Sequence, residues 1–142
     1  MKRNFMIVTA VLVALVLTGR APAQDVTDAE VQRAIQRGIE SLYNDQNKDG
    51  HWDTMNFEKA EGHNRTQYGG RTALAAYALL TAGESYQDPK LKKAIKFLEE
   101  IEMTGCYAIG LRCHVWGRLP DSFLPYLRTD CMRLLSGLGK GG

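Results

Sequence analysis

Two kinds of helical segment alternate along this 142-residue chain, and the alternation limits the folds that it can adopt. Segments 31–42, 88–101 and 121–137 place apolar residues along one side only, which predicts helices that are half exposed. Segments 70–82 and 107–116 are mainly apolar on every side, which predicts buried helices. Outer helices that alternate with inner ones imply antiparallel hairpins in two layers. Since no segment has a period-two apolar pattern, the predicted fold class is all-α, with about five helices.

Local signals predict where the helices begin and which side of each is buried. Thr27-Asp28-Ala29-Glu30 forms a capping box before the first segment, and Asp88-Pro89 is a typical start for the third. The first segment has a predicted buried stripe of Val31, Ala34, Ile35, Gly38, Ile39 and Leu42. The fifth has a predicted buried stripe of Leu127, Cys131, Leu134, Leu135 and Leu138.

The first helix leads into a polar turn that ends at a tryptophan, with the spacing Q-x3-G-x-W. We expect Gln46 to hydrogen-bond loop backbone, Gly50 to adopt a positive φ and Trp52 to cover the turn. We expect Gly38 to allow a second helix to approach closely. The complete pattern consists of Arg37, Gly38, Leu42, Gln46, Gly50 and Trp52.

This pattern resembles the QW repeat of squalene cyclases, protein prenyltransferases and related α/α-toroid proteins. It departs from the repeat at Ser41, where an aromatic residue is expected, and a weaker second copy aligns residues 93–98 with residues 37–42. The alternative interpretation is an ordinary helical hairpin with an Asp-Gly turn followed by Trp. The resemblance implies a partial α/α toroid over residues 31–138. We expect the chain to be truncated, either as a fragment or as an open ring whose inner helices leave apolar surface uncovered.

The N-terminus has the features of a secretory signal peptide. Lys2 and Arg3 precede an uncharged apolar run, and Ala21-Pro22-Ala23 supplies a cleavage site. A membrane anchor is the alternative, but the run is shorter than the ~20 residues that a span needs. The sequence therefore predicts a signal peptide over 1–23, one domain over 24–142, and export to the periplasm or the outside of the cell. Without the leader the chain has 15 basic and 16 acidic residues, which favours neither nucleic acid nor membrane as a partner.

The resemblance implies a scaffold and no catalytic residue that can be placed on this chain. Terpene cyclases of this fold use a DxDD or DCTAE acid motif, and neither string occurs here. The prenyltransferases bind zinc from late hairpins, and toroid polysaccharide lyases use calcium and an arginine from elsewhere in the ring. Whether the chain is an enzyme is left open, and no cofactor is expected.

Two local metal candidates are weak. Asp45, Asn47, Asp49 and Asp53 follow the first half of an EF-hand loop, but Asn56 stands where a bidentate Glu is needed, so a structural turn is favoured. The spacing of Cys106, Cys113, His114 and Cys131 matches no zinc motif. Cys106 and Cys113 are about 10 Å apart along one helix, too far for a disulfide, while Cys131 can pair with either. Buried free thiols are the favoured interpretation.

Helix N-termini favour anions, so in a toroid residues 68–71 and Tyr107 are expected near the mouth of the cavity, with Arg112, His114 and Trp116 further along. We predict ligand binding by Arg71, Tyr107 and His114. In the alternative interpretation Arg71 is a surface charge, the aromatic residues are packing and His114 is a satisfied core histidine. His51 and His63 are expected to be solvated in loops.

Three functions from different classes remain. The first is an exported, non-catalytic toroid module that binds a protein, glycan or apolar ligand on its inner-helix side; the partner is the rest of the toroid or another protein. The second is the N-terminal part of a terpene-cyclase-like or polysaccharide-lyase-like enzyme with catalytic residues beyond residue 142. The third is a calcium-loop protein. The polar loop over 53–67 is expected to be functional or mobile.

Overall fold

The computed structural model describes residues 26–54 and 66–138, which are all-α as predicted and form no strand. The helices are α1 (Asp28–Asp45), α2 (Gly70–Thr81), α3 (Pro89–Glu100), α4 (Cys106–Trp116) and α5 (Leu124–Leu138), and a 3-10 turn (Asp121–Phe123) precedes α5. The predicted signal peptide, residues 55–65 of the predicted loop and residues 139–142 lie outside the described residues. Contacts divide the chain into two units, residues 1–32 and residues 33–142. Within the described ranges, no helix has the length and apolar composition that a membrane span requires.

The predicted helix starts are confirmed at α1 and α3. The backbone N–H of Thr27 donates to Glu30 Oε2 (2.9 Å) and the N–H of Glu30 donates to Thr27 Oγ1 (3.3 Å), which is the reciprocal capping box. This hydrogen bonding to the ionised carboxylate lowers the pKa of Glu30. At α3, Asp88 accepts hydrogen bonds from the N–H groups of Lys90 and Leu91 (2.8 and 3.1 Å), and Pro89 follows it at the first helical position.

Helices α2 and α4 lie side by side and run in the same direction. Gly70 at the start of α2 lies against Ala108 near the start of α4, and Tyr77 lies against His114 one to two turns further along both helices. Helix α3 connects the end of α2 to the start of α4 along the chain, and it packs on α2. This arrangement gives α3 the position of an outer helix and α2 and α4 those of inner helices. Side chains from α2, α3 and α4 that are fully buried include Leu79, Leu91, Leu98 and Val115.

The predicted buried stripe of α1 is wrong over the first half of the helix and confirmed near its end. Ile39 is buried and Leu42 half-buried, whereas Val31 and Ile35 are 43% and 40% exposed. A Cβ added to Gly38 would meet no described atom within 4 Å, so the predicted close helix approach does not occur there. Arg37 of the motif is also exposed. An amphipathic pattern shows that a helix has an apolar side and does not show how much of that side is covered.

The packed face of α5 also differs from the prediction. The helix runs antiparallel to α4, because Trp116 stacks on Phe123 (ring centroids 5.9 Å apart) while Arg112 contacts Asp130. Leu127 and Leu134 are half-buried as predicted, but Cys131 and Leu135 are exposed and the buried residue is Asp130. The side chain of Leu138 lies outside the described residues. Helix α5 turns Asp130 inwards because its carboxylate neutralises the buried guanidinium of Arg112. Leaving that charge unpaired would cost more free energy than burying one more leucine side chain would gain.

The turn after α1 has the predicted internal geometry. Gln46 Nε2 donates to the carbonyl oxygens of Gly50 (2.7 Å) and Lys90 (2.9 Å), which ties the turn to the start of α3. Gly50 has φ 91°, and a Cβ there would lie 2.5 Å from the Cβ of Lys93. Trp52 is buried, and its Nε1–H donates to the carbonyl of Leu42 (2.7 Å). The turn therefore joins two successive outer helices, α1 and α3.

Candidate functional site

The exposed sides of α2 and α4 form one continuous surface, which we call the inner face. On α2 it consists of Arg71, Leu74 and Ala78, spaced i, i+3 and i+7, and on α4 of Tyr107 and His114, two turns apart. All five are exposed, with Leu74 at 48% and Tyr107 at 64%. The buried side chains Thr72, Ala76 and Leu79 lie on the opposite side of α2. The prediction that α2 is buried all round is therefore wrong for one stripe, since no element in the described residues covers that side. The exposure of Leu74 agrees with the other expectation, that the inner helices leave apolar surface uncovered.

All three predicted ligand residues lie on the inner face. Arg71 is exposed, and its Nη1 donates to Thr54 Oγ1 at 2.9 Å, which fixes the direction of the guanidinium. Tyr107 projects at the start of α4, and His114 lies near its end with its ring centroid 5.2 Å from that of Tyr77. The alternative interpretation of His114 as a core histidine is wrong, because the residue is exposed. The three are spread along two turns of helix and do not converge on one point.

A groove of about 500 Å³ adjoins the Arg71 end of the inner face. It lies between the end of α1 and the exposed side of α2, and its walls include Leu42, Asp45, Trp52, Thr54, Arg71 and Leu74. Its lining therefore combines apolar surface with one carboxylate and one guanidinium, both exposed. This lining can hold an apolar side chain and bind polar groups at its rim.

The N-terminus of α2 is filled by Asp53 and is not an open anion site. Asp53 is buried and accepts hydrogen bonds from the N–H groups of Gly69 (3.1 Å) and Thr72 (3.2 Å) and from Thr72 Oγ1 (2.6 Å). Its carboxylate thus occupies the place where the sequence analysis expected a ligand, and it does so because Gly69 has no side chain with which to cap the helix.

The N-terminus of α4 is also capped, by Gln67. The side chain of Gln67 accepts from the N–H of Ala108 (3.1 Å), and the carbonyl of Thr66 accepts from the N–H of Gly105 (2.8 Å). Both caps therefore come from the segment before α2, and the expected mouth at the N-termini is wrong in both cases. The open surface is the side of the helices, not their ends.

Arg112 and Trp116 point away from the inner face, towards a cavity of about 460 Å³ lined by α3, α4 and α5, which corrects their predicted place along the toroid cavity. Arg112 is 5% exposed, pairs with both carboxylate oxygens of Asp130 (2.6 and 2.8 Å) and donates to the carbonyls of Leu98 and Ile101 (3.0 Å each). Trp116 Nε1–H donates to the same carboxylate at 2.9 Å. This network is structural and joins α3, α4 and α5.

Sequence reasoning missed the capping roles of Asp53 and Gln67 and the pairing of Asp130 with Arg112, and only Asp130 left a signal. A single arginine within an apolar helix needs an acidic partner when it is buried, and Asp130 is an acidic residue one helix later. Asp53 and Gln67 lie in a polar segment where nothing distinguishes them from their neighbours. Throughout the described residues, every buried side-chain nitrogen and oxygen has a hydrogen-bond partner.

Two of the calcium candidates have other partners, Asn47 in the turn and Asp53 at the start of α2. Asn47 Oδ1 accepts from the N–H groups of Asp49 (3.0 Å) and His51 (3.1 Å), while Asp53 is turned to α2. Over the described ranges, no three His, Cys, Asp or Glu residues are grouped as metal ligands. His51, expected to be solvated, is half-buried and stacks on Phe97 with ring centroids 4.4 Å apart. His63 lies outside the described residues.

Burial raises the pKa of three side chains, those of Tyr43, Tyr68 and Cys113. Burial raises the pKa of Tyr43 strongly, and its hydroxyl also donates to Glu84 (2.9 Å). Burial, with the carboxylates of Asp53 and Asp49, raises the pKa of Tyr68. Burial also raises the pKa of the Cys113 thiol to about 12, and the neighbouring Cys131 and Asp130 add to that effect. None of the three lies on the inner face.

No family model, curated protein or solved structure matches this chain. The resemblance to the QW repeat rests on the residues of the motif and stays a prediction.

Proposed function

We propose that this chain is an exported, non-catalytic helical-repeat module of the α/α-toroid type that binds a segment of another polypeptide on its inner face. The observation that carries the proposal is the exposure of Leu74 and Tyr107 on adjacent parallel helices. The resemblance to toroid proteins supports it, because their inner helices line the binding cavity. Export is proposed on the N-terminal pattern of residues 1–23.

The composition of the inner face favours a polypeptide over other ligands. Tyrosine and arginine are enriched where proteins bind each other, and each offers an apolar body with a polar tip. Arg71 and Tyr107 supply these two groups, and Leu74, three residues after Arg71 on α2, adds an exposed apolar side chain. The adjoining groove has room for a side chain of the partner.

A peptide-display selection tests the proposal. The selection uses the immobilised chain and discards peptides that also bind a variant carrying Leu74→Glu and Tyr107→Glu. Peptides that remain should bind the unaltered chain, and Tyr107→Ala should weaken them by about tenfold or more, the usual effect of an interface hot spot. Both substituted residues are exposed, so the fold should tolerate the changes.

Lys96→Ala is the matched control, since Lys96 is exposed on α3 in the outer layer. It should leave the affinity unchanged. Equal loss of affinity in Lys96→Ala and Tyr107→Ala, or a selection that yields no peptide sensitive to the inner face, would contradict the proposal.

A further inference from the structure

The packing of α4 against α5 brings two of the three cysteines together. Arg112 and Asp130 are joined by two hydrogen bonds of 2.6 and 2.8 Å across the interface, and Cys113 and Cys131 are the next residue on each helix. Cys131 is close enough to Cys113 to contribute to the raised pKa of the Cys113 thiol. The ion pair thus fixes the register that places the sulfurs side by side.

The third cysteine is placed differently. Cys106 is exposed at the start of α4, seven residues before Cys113 on the same helix. The rise between them is about 10 Å. A disulfide needs Cα atoms within about 7 Å, so Cys106 cannot reach Cys113 while α4 is folded.

We propose that Cys113 and Cys131 form an intramolecular disulfide that links α4 to α5 when the folded chain meets a small-molecule disulfide such as oxidised glutathione. The inference is independent of the binding proposed for the inner face. It makes the pair a modification site, and Cys106 is left as the free thiol of an odd set.

The exposure of the two sulfurs sets the order of the reaction. Cys131 is exposed and Cys113 is half-buried, so the Cys131 thiolate attacks the oxidant first. Its proton goes to solvent, the S–S bond of oxidised glutathione breaks, and one glutathione leaves as a thiolate that takes up a proton. The Cys113 thiol then loses its proton to solvent and attacks the Cys131 sulfur, which expels the second glutathione. Two protein thiols are oxidised by two electrons, and one glutathione disulfide is reduced to two thiols.

The high pKa of Cys113 makes the second step the slow one. Since burial holds that thiol protonated, few molecules carry the thiolate at neutral pH. A mixed disulfide on Cys131 should therefore accumulate briefly and decay faster as the pH rises.

Trypsin separates the three cysteines, which makes the pairing directly readable. Cleavage after Lys96, Arg112, Arg118, Arg128 and Arg133 places Cys113 in peptide 113–118 and Cys131 in peptide 129–133, while Cys106 stays in peptide 97–112. The folded full chain is treated with oxidised glutathione, quenched with N-ethylmaleimide, digested and analysed by mass spectrometry. The expected product is peptide 113–118 linked to peptide 129–133, with Cys106 carrying N-ethylmaleimide or glutathione.

Three serine variants and a denatured control complete the experiment. Cys106→Ser should still form the link, and oxidation should raise its Tm by roughly 10 °C, since the bridge closes a loop of about 18 residues. Cys113→Ser should keep a stable glutathione adduct on Cys131, and Cys131→Ser should form no link. In guanidinium the preference for the link between Cys113 and Cys131 should vanish. A disulfide between Cys106 and Cys113 closes a shorter loop and competes with it once α4 is unfolded. Persistent mixed disulfides in the folded chain, or a link through Cys106, would overturn the proposal.

Discussion

At the scale of single residues, Arg112 shows how a charged side chain is accommodated inside an apolar helix. Two of its bonds go to the carboxylate of Asp130 and two to carbonyl oxygens at the C-terminal end of α3. Those carbonyls belong to the last turn of a helix, where backbone acceptors have no partner within the helix. One guanidinium therefore neutralises a buried acid and caps a helix at the same time.

Removing one member of this pair should be far more costly than breaking an ion pair on the surface. We expect Asp130→Ala to lower the free energy of unfolding by about 3–5 kcal/mol, because it leaves a buried guanidinium without its counter-charge. The exposed pair between Lys96 and Glu100 is the control, and Lys96→Ala should cost less than about 1 kcal/mol. Guanidinium-induced unfolding followed by circular dichroism measures both. Similar losses in the two variants would show that Arg112 is not buried as described.

The sequence predicted hydrogen bonds between residues close together in the chain and did not predict those between residues far apart. The bonds between Thr27 and Glu30 follow from a three-residue spacing and were predicted correctly. The partner of Arg112 lies 18 residues away on another helix, so the buried arginine signals that an acid is needed but no local pattern says which one. The caps from Asp53 and Gln67 were missed for the same reason, since each reaches a helix other than its nearest neighbour in sequence.

At the scale of elements, the turn between α1 and Trp52 carries the connection of the outer helices. The side chain of Gln46 bonds both the turn and the start of α3, and Gly50 lies directly against Lys93. The turn therefore packs directly on α3, although it is a connecting segment.

A comparison of two glycines distinguishes the stabilisation that comes from packing of this turn from the strain of its backbone conformation. Gly50 and Gly83 have similar positive φ values, 91° and 96°, but a Cβ at Gly83 would meet no described atom within 4 Å. We expect Gly83→Ala to cost about 1–2 kcal/mol from backbone strain alone. Gly50→Ala should cost a further 1–3 kcal/mol or so, because its methyl group would overlap Lys93. Urea unfolding compares them, and equal costs would mean that the turn does not pack on α3.

The hydrogen bond between Tyr43, at the end of α1, and Glu84, after α2, should make the free energy of unfolding depend on pH in the alkaline range. Burial and the hydrogen bond to Glu84 raise the pKa of Tyr43 above the ordinary value of about 10. Because the folded pKa is the higher one, this contribution is fully present below about pH 10 and is lost as the pH rises through the folded value. The free energy of unfolding should fall above about pH 10, and fall less steeply in Tyr43→Phe.

Tyr107→Phe is the matched control for this pH dependence, since Tyr107 is 64% exposed. It should keep the alkaline slope of the unaltered chain in urea titrations at pH 8 to 11. A slope that Tyr43→Phe leaves unchanged would rule out a part for this phenol.

Element positions were more predictable than the faces by which the elements pack. The predicted start of α2 at Gly70 and the end of α4 at Trp116 are confirmed, because glycines and apolar runs delimit both helices. The packed faces of α1 and α5 were predicted only in part. An apolar stripe specifies the side that can be buried, and the neighbours decide how many of its residues are buried.

At the scale of the whole molecule, the two inner helices α2 and α4 run parallel and leave one side open in the described residues. The alternation of helix types predicted two layers correctly. It did not predict the open stripe of Arg71, Leu74 and Ala78, because composition alone cannot distinguish a helix surrounded by others from one that lines a surface. The three predicted ligand residues Arg71, Tyr107 and His114 do lie on the inner face. The reason for predicting them, open helix N-termini, was wrong.

The most direct test of the parallel arrangement is paramagnetic relaxation enhancement measured by NMR. The three native cysteines are replaced by serine, and a nitroxide is attached to a cysteine introduced at Arg71 or at Ala78, which are exposed at opposite ends of α2. The label at position 71 should broaden the amide signal of Tyr107 more than that of His114, and the label at position 78 should do the reverse. The opposite order, or no broadening along α4 from either label, would contradict the account.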